Sequence, residues 1–280
     1  MPRIVACAMM LAWAVLAAAV PVCAHALVPE TVTIDSGSAG KGPFTAQLLR
    51  PTGAGPFAAV VAMHGCGGLL NDKGKLRARE MDWAERFVAR GYAVLFPDSF
   101  TARGVREICT STTRSIFPKD RADDIAAGAE WLASQPYIDK SRLALIGWSH
   151  GAMAVLWAVR PGFLDAPPRF KAAIAFYPGC RQIARLEDWR PSVPLTLLIG
   201  GADDWTRAGP CRELARRTGF RFVEYIGAYH GFDAPASRVR VRRGLGAVEG
   251  GHAHVGTDPA ARDAAIKEVM DTLRTALGGR

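Results

Sequence analysis

The sequence predicts an α/β fold: a mostly parallel, twisted sheet with helices on both faces. Three observations carry that expectation. Short apolar runs alternate with longer stretches of helical periodicity, the order that builds βαβ units. Those runs are continuous rather than alternating, as strands buried on both faces are. One of them leads through a G-x-S-x-G turn straight into a helix.

The elements follow in chain order. Residues 31–34 and 44–49 read as leading strands, paired antiparallel. The first fully apolar run is 58–63. A helix over 76–90 places Met81, Trp83, Ala84, Phe87 and Val88 on one face. The run at 92–96 follows, then a helix over 120–135 carrying Ile125, Ala129 and Leu132. Runs at 143–146, 172–177 and 195–199 continue the alternation, with a helix over 152–159 and a further strand at 220–225. The last helix spans 259–277, between Pro259 and Gly278, both suited to helix boundaries. Residues 237–257, rich in Arg, Gly and Val, read as a long loop or insertion.

Of the 280 residues, 49% are hydrophobic and 22% charged, with a formal net charge of +9. That composition excludes a disordered tail, a collagen-like fibre and a coiled coil. A chain of this size buries about 70–75% of its unfolded surface, so no metal is needed to hold it together. Residues 1–26 read as a secretory signal. Met1-Pro2-Arg3 is the basic start, 4–22 is apolar, and Ala24-His25-Ala26 is a small-x-small cleavage site. The expectation is a single domain over 27–280, periplasmic or secreted, with no membrane insertion after cleavage. Cys7 and Cys23 leave with the signal. Cys66, Cys109, Cys180 and Cys211 remain, and in an oxidising compartment they suggest two disulfides, in any of three pairings.

The chemistry is concentrated at Gly147-Trp148-Ser149-His150-Gly151. A serine on a sharp strand-to-helix turn needs small neighbours two residues away, and Gly147 and Gly151 supply them. Its hydroxyl needs a base, and the base an orienting acid. The acid expected is Asp203, just beyond the strand at 195–199, with Asp204 the less favoured choice. The base expected is His230, after the strand at 220–225. The negative oxygen formed during acyl transfer needs donors. The backbone N–H of His150 is one. The N–H of Cys66, in His64-Gly65-Cys66-Gly67-Gly68, is the other, where glycines allow close approach.

With these motifs, and with Phe96-Pro97-Asp98-Ser99-Phe100, Gly200-Gly201-Ala202-Asp203-Asp204 and Tyr229-His230-Gly231-Phe232-Asp233, the chain resembles the dienelactone hydrolase-like family of α/β-hydrolases over about 32–277. The resemblance implies hydrolysis of a small-molecule ester or lactone by a nucleophile–His–Asp triad without a cofactor. The namesake enzymes use a cysteine nucleophile and are cytoplasmic; this chain has Ser149 and an export signal. Many relatives carry a proline where this chain has Arg207. In such a fold the loops bearing the cysteines are neighbours in pairs, which implies Cys66–Cys109 and Cys180–Cys211. The first pair would also fix the oxyanion loop.

Arg103 and Arg106 are candidates for a fork on a substrate carboxylate, against pairing with a nearby acid. Trp148 and Trp205 flank the site and are candidates for an acyl pocket, against simple packing. His252-Ala253-His254 offers too few ligands for a metal, and none is expected. The basic run 238–243 lacks interleaved aromatics, so no nucleic-acid partner is expected. The oligomeric state is not readable. Two rivals to the ester hydrolase stand: a peptidase or amidase on the same triad, and a non-catalytic binding protein on a hydrolase fold.

Overall fold

The computed structural model describes residues 27–35, 42–164 and 169–278. The expected signal segment, with Cys7 and Cys23, lies outside them. Eight strands form one sheet: β1 (Glu30–Ile34), β2 (Phe44–Leu49), β3 (Phe57–Met63), β4 (Ala93–Pro97), β5 (Ile138–Trp148), β6 (Phe170–Phe176), β7 (Leu195–Gly200) and β8 (Arg221–Tyr225). Their spatial order is β1-β2-β4-β3-β5-β6-β7-β8. β1 and β2 pair antiparallel, as does β2 with β4; every other neighbouring pair is parallel. Helices cover both faces: α1 (Ala78–Ala89), α2 (Pro118–Ser134), α3 (His150–Ala158), α4 (Arg181–Ala184), α5 (Ala208–Thr218) and α6 (Pro259–Leu277). Among the described residues no helix is long and apolar enough to cross a membrane.

The strands form where the apolar runs stand, because burial on both faces leaves no polar position to fill. Val60, Val61, Leu145, Ile146, Ile174 and Leu197 are wholly buried. β5 is longer than its apolar run. Ile138 pairs with Phe57, and the strand continues through a polar stretch, 139–142, before its buried half. In that stretch the Asp139 carboxylate accepts from the Ser141 and Arg142 side chains, which holds its pKa down to about 2. α2 starts two residues earlier than the periodicity indicates. Pro118 occupies its first turn, and Asp120 Oδ2 accepts the Phe117 N–H at 2.9 Å. At the start of α6, Asp258 accepts the Ala261 N–H at 3.0 Å.

Residues 237–257 are not a plain loop. They hold a second, two-stranded sheet in which β9 (Arg240–Arg243) pairs antiparallel with β10 (His252–Val255). Val255 bridges to His230, and the Gly256 N–H bonds to the His230 carbonyl at 3.1 Å. The hairpin is thereby fastened to the loop after β8.

Parallel register aligns the carboxyl ends of the central strands. Met63 lies beside Gly147, Trp148 beside Phe176, and Gly200 beside Tyr225. The segments that follow these strands therefore emerge on one edge of the sheet, where α/β sheets place their sites. The turn into α3 is sharp. Ser149 has φ 52° and ψ −115°, a conformation costly for a residue with a side chain. A Cβ at Gly151 would overlap the carbonyl oxygens of Met63 and His64. Gly151→Ala is therefore expected to destabilise the fold by about 3 kcal/mol, the upper range for overpacking. Urea unfolding measures it, and stability equal to the parent would contradict the close approach.

Candidate active site

Ser149 Oγ, at the strained turn, lies 3.0 Å from His230 Nε2, and His230 Nδ1 lies 2.8 Å from Asp203 Oδ2. Because a carboxylate only accepts, Nδ1 carries the proton and Nε2 is free to accept from the serine hydroxyl. Three loops from three strand ends thus meet in one line of hydrogen bonds. Relative exposures of 8% for Ser149, 5% for His230 and 4% for Asp203 leave the line nearly dry. Asp203 is itself held: the Trp205 and Thr206 N–H groups donate to Oδ1 at 2.9 and 2.8 Å, and the Thr206 hydroxyl reaches Oδ2 at 3.0 Å. The His230 ring sits between two aromatic rings, Tyr177 at 4.5 Å and Trp205 at 4.6 Å between centroids.

Asp204, the alternative acid, is committed elsewhere. Its carboxylate accepts the backbone N–H of His254 at 2.8 Å and meets His254 Nδ1 at 2.7 Å. These bonds hold the Asp204 carboxyl below its ordinary pKa despite some burial. His252 Nδ1 turns to the Gly250 carbonyl, so the two hairpin histidines face different partners. Among the described residues no group of three or more metal-ligating side chains is present.

Cys66 and His150 flank Ser149 on the same cavity wall. Cys66 is joined to Cys109 with an S–S distance of 2.07 Å, and Cys180 to Cys211 at 2.03 Å. The first bridge lies in a small core of its own with Phe100, Ile108, Ile116, Leu245 and Ala253. His150 has no earlier helical turn for its N–H to bond. A cavity of about 280 Å³ opens over Ser149. Its wall includes Arg114, Arg181, Arg207, Trp205, Val248 and Glu249, the last two from the hairpin segment. A larger depression, about 570 Å³, lies among Glu130, Lys140 and Lys171, at the opposite ends of the strands.

Two expectations are corrected. Arg103 is not a substrate fork. It binds Asp124 through two hydrogen bonds, 2.9 and 2.7 Å, and the Ser99 carbonyl as well. Its companion Arg106 pairs at the surface with Asp72, the two side chains 80% and 79% exposed. Trp148 does not line the cavity over Ser149. It points under the sheet edge, wholly buried, against Trp83 and Phe176. Trp205 does face the site, its ring tilted 34° to that of His230, with the Arg242 guanidinium 5.4 Å above it.

Sequence reasoning missed Asp233, three residues beyond His230. This wholly buried carboxylate accepts the indole N–H groups of Trp83 and Trp148, each at 2.8 Å, and the Tyr177 hydroxyl at 2.5 Å. Burial, with the negative charge of Asp233, pushes the Tyr177 phenol well above its ordinary pKa, so it remains a donor. Asp233 closes the His-Gly-Phe-Asp run, and that position was its only visible signal. Arg114 and Arg121 were missed too. Arg114 Nε is buried without a hydrogen-bond partner among the described residues, and burial lowers its pKa.

A buried serine–imidazole–carboxylate line at the carboxyl edge of this sheet matches the α/β-hydrolase architecture. The dienelactone hydrolase family profile matches residues 44–277. The chain belongs to the dienelactone hydrolase family, and it is a hydrolase. Its fold is shared with a candidate dienelactone hydrolase from Klebsiella pneumoniae at 17% identity and TM-score 0.63, covering 88% of this chain and 98% of that one. The dienelactone hydrolase of Anabaena variabilis is 19% identical, with TM-score 0.60 and coverage of 90% and 100%. Esterase 2 of Thermogutta terrifontis is 18% identical, with TM-score 0.58 and coverage of 89% and 95%. A comparison with curated protein sequences finds no match.

Asp233→Asn keeps the shape but removes the charge that three donors converge on. Hydrogen bonds to a charged group contribute about 1.5–3 kcal/mol, so a loss of about 2–3 kcal/mol is expected, with altered near-ultraviolet dichroism from the two indoles. Unchanged stability and spectrum would show that the carboxylate is not holding them.

Proposed function

We propose that the protein is a serine hydrolase of carboxylic esters or lactones working through an acyl-enzyme. The observation that carries this is the line of hydrogen bonds from Asp203 through His230 to Ser149 Oγ beneath the cavity. Ser149 attacks the acyl carbon while His230 Nε2 takes its proton. Asp203 holds the ring in the tautomer that accepts that proton and offsets the charge of the imidazolium. The N–H groups of Cys66 and His150 take up the negative oxygen. His230 then protonates the leaving alkoxide, and a water it activates releases the acyl group. The reaction needs no cofactor.

The cavity wall favours a substrate with an anionic group. Arg114, Arg181 and Arg207 line it, and among the described residues Arg114 has no ion pair like those that occupy Arg103 and Arg106, its Nε being buried without a partner. Against them stand Glu249 and Asp204, the latter tied to His254. Export to the periplasm or beyond is supported by the two disulfides, which persist in oxidising compartments.

Hydrolysis of p-nitrophenyl esters of graded chain length, of the hemisuccinate ester and of matching anilides tests the reading. Ester hydrolysis is expected, and Ser149→Ala is expected to lose about 10⁴-fold or more in kcat. Arg114→Gln is expected to lower kcat/KM about tenfold for the hemisuccinate, while neutral esters stay within about twofold. An inactive parent, or a Ser149→Ala variant as active as the parent, contradicts the esterase. Equal loss on both ester types removes the anionic preference. Activity confined to the anilides selects the amidase instead.

A further inference from the structure

Behind the serine lies a buried cation that the mechanism above does not use. Arg121, on α2, is wholly buried, yet its hydrogen bonds run to neutral acceptors rather than to a carboxylate. One amine donates to the His64 carbonyl at 2.7 Å, and another to His150 Nδ1 at 3.1 Å. Nearby Asp124 is engaged by Arg103 in a two-point fork. Phe100 offers the face of its ring 5.0 Å from the guanidinium, and its edge meets the His64 ring at 4.6 Å. Such a placement is costly. Burying a guanidinium without a carboxylate forfeits hydration that two neutral hydrogen bonds only partly replace. Burial brings its pKa down to about 9, so it remains a cation at neutral pH.

Both partners of Arg121 matter to the chemistry. His64 stands two residues before Cys66, at the head of the loop that offers the first oxyanion donor. His150 carries the second donor and is the residue after the nucleophile. We propose that Arg121 is the positioning residue of the oxyanion site, its rigid planar fork setting the Cys66 loop and the start of α3 at one fixed separation. The inference rests on the serine-hydrolase reading, because only there do those two N–H groups act together. A planar guanidinium suits the task because its donors leave one plane at fixed angles, which an ammonium on a flexible stem does not reproduce. The bond to His150 also sets that ring's protonation. Nδ1 accepts, so the proton sits on Nε2 and the imidazole stays neutral, as its burial and the charge of Arg121 also require. His64 is held neutral likewise, by burial and then by Arg121, with Nδ1 turned to the Gly65 carbonyl. Neither histidine then adds a positive charge against Arg121.

The test uses p-nitrophenyl butyrate, with kcat expressed per active site titrated by a fluorophosphonate, so that misfolded protein does not count. Phenylboronic acid, which forms a tetrahedral anion on an active serine, reports oxyanion binding separately. For Arg121→Met, kcat per titrated site is expected to fall about 100-fold, with KM within about twofold and the boronate inhibition constant raised in step. Arg121→Lys keeps a cation but loses the fork, and it is expected to fall about tenfold on both readouts. If Arg121→Met does not fold, the lysine variant decides. Either variant matching the parent in kcat per site and in boronate affinity overturns the proposal. A parent that neither hydrolyses the ester nor titrates with fluorophosphonate marks failure of the hydrolase reading instead.

Discussion

The site depends on how Asp233 is satisfied. One buried carboxylate gathers an indole from α1, an indole from the last residue of β5 and the phenol that follows β6. A carboxylate in a dry interior is stable only when donors surround it, and each charge-assisted bond is about twice as strong as a neutral one. The requirement therefore works outward. Trp148 must turn inward, which sets the strand end that delivers Ser149. Tyr177 must reach Asp233, which lays its ring against His230. Asp233 itself is three residues from that histidine, so the loop carrying His230 is anchored by the same bonds. Arg79 completes the arrangement by donating to the Tyr177 oxygen at 3.2 Å while paired with Glu80.

Above this buried layer the cavity is built from other material. The sheet supplies Ser149, and the loops supply most of the wall. The Cys66–Cys109 bridge, Leu245 and Ala253 share a small core separate from the main one. The Gly246 N–H bonds to the Cys109 carbonyl at 3.0 Å, so the hairpin segment and the bridged loop hold each other. Asp204 and His254 fasten the same hairpin beside Asp203. The Ser149–His230–Asp203 line and most of the cavity wall thus belong to different layers, a division common where a rigid scaffold carries variable loops.

What the sequence made legible was local. A strand, two glycines and a helix around Ser149 are contiguous, and each is demanded by the same crowded turn. Asp203 and His230 follow strand ends, so both could be singled out by order along the chain, and the fold brings them into one line of hydrogen bonds with Ser149. Asp233 could not, because its donors come from 56, 85 and 150 residues away. Arg103 was open to a substrate role because Asp124 lies 21 residues on, across a loop and a helical turn. Trp148 sits beside Ser149 in sequence but is turned into the interior, as alternation of side chains along a strand allows. The pairing of 240–243 with 252–255 was hidden because each strand is only four residues long, β9 is mostly exposed and arginine-rich, and β10 buries Ala253 alone, which leaves no apolar run to mark either.

The central claim is that His230 activates Ser149. Fluorophosphonate labelling read by intact mass and peptide mapping tests it most directly. The account predicts one adduct, on Ser149, lost in His230→Ala and retained in Asp204→Ala. An adduct on another residue, or labelling of Ser149 that persists at the parent rate in His230→Ala, would contradict it.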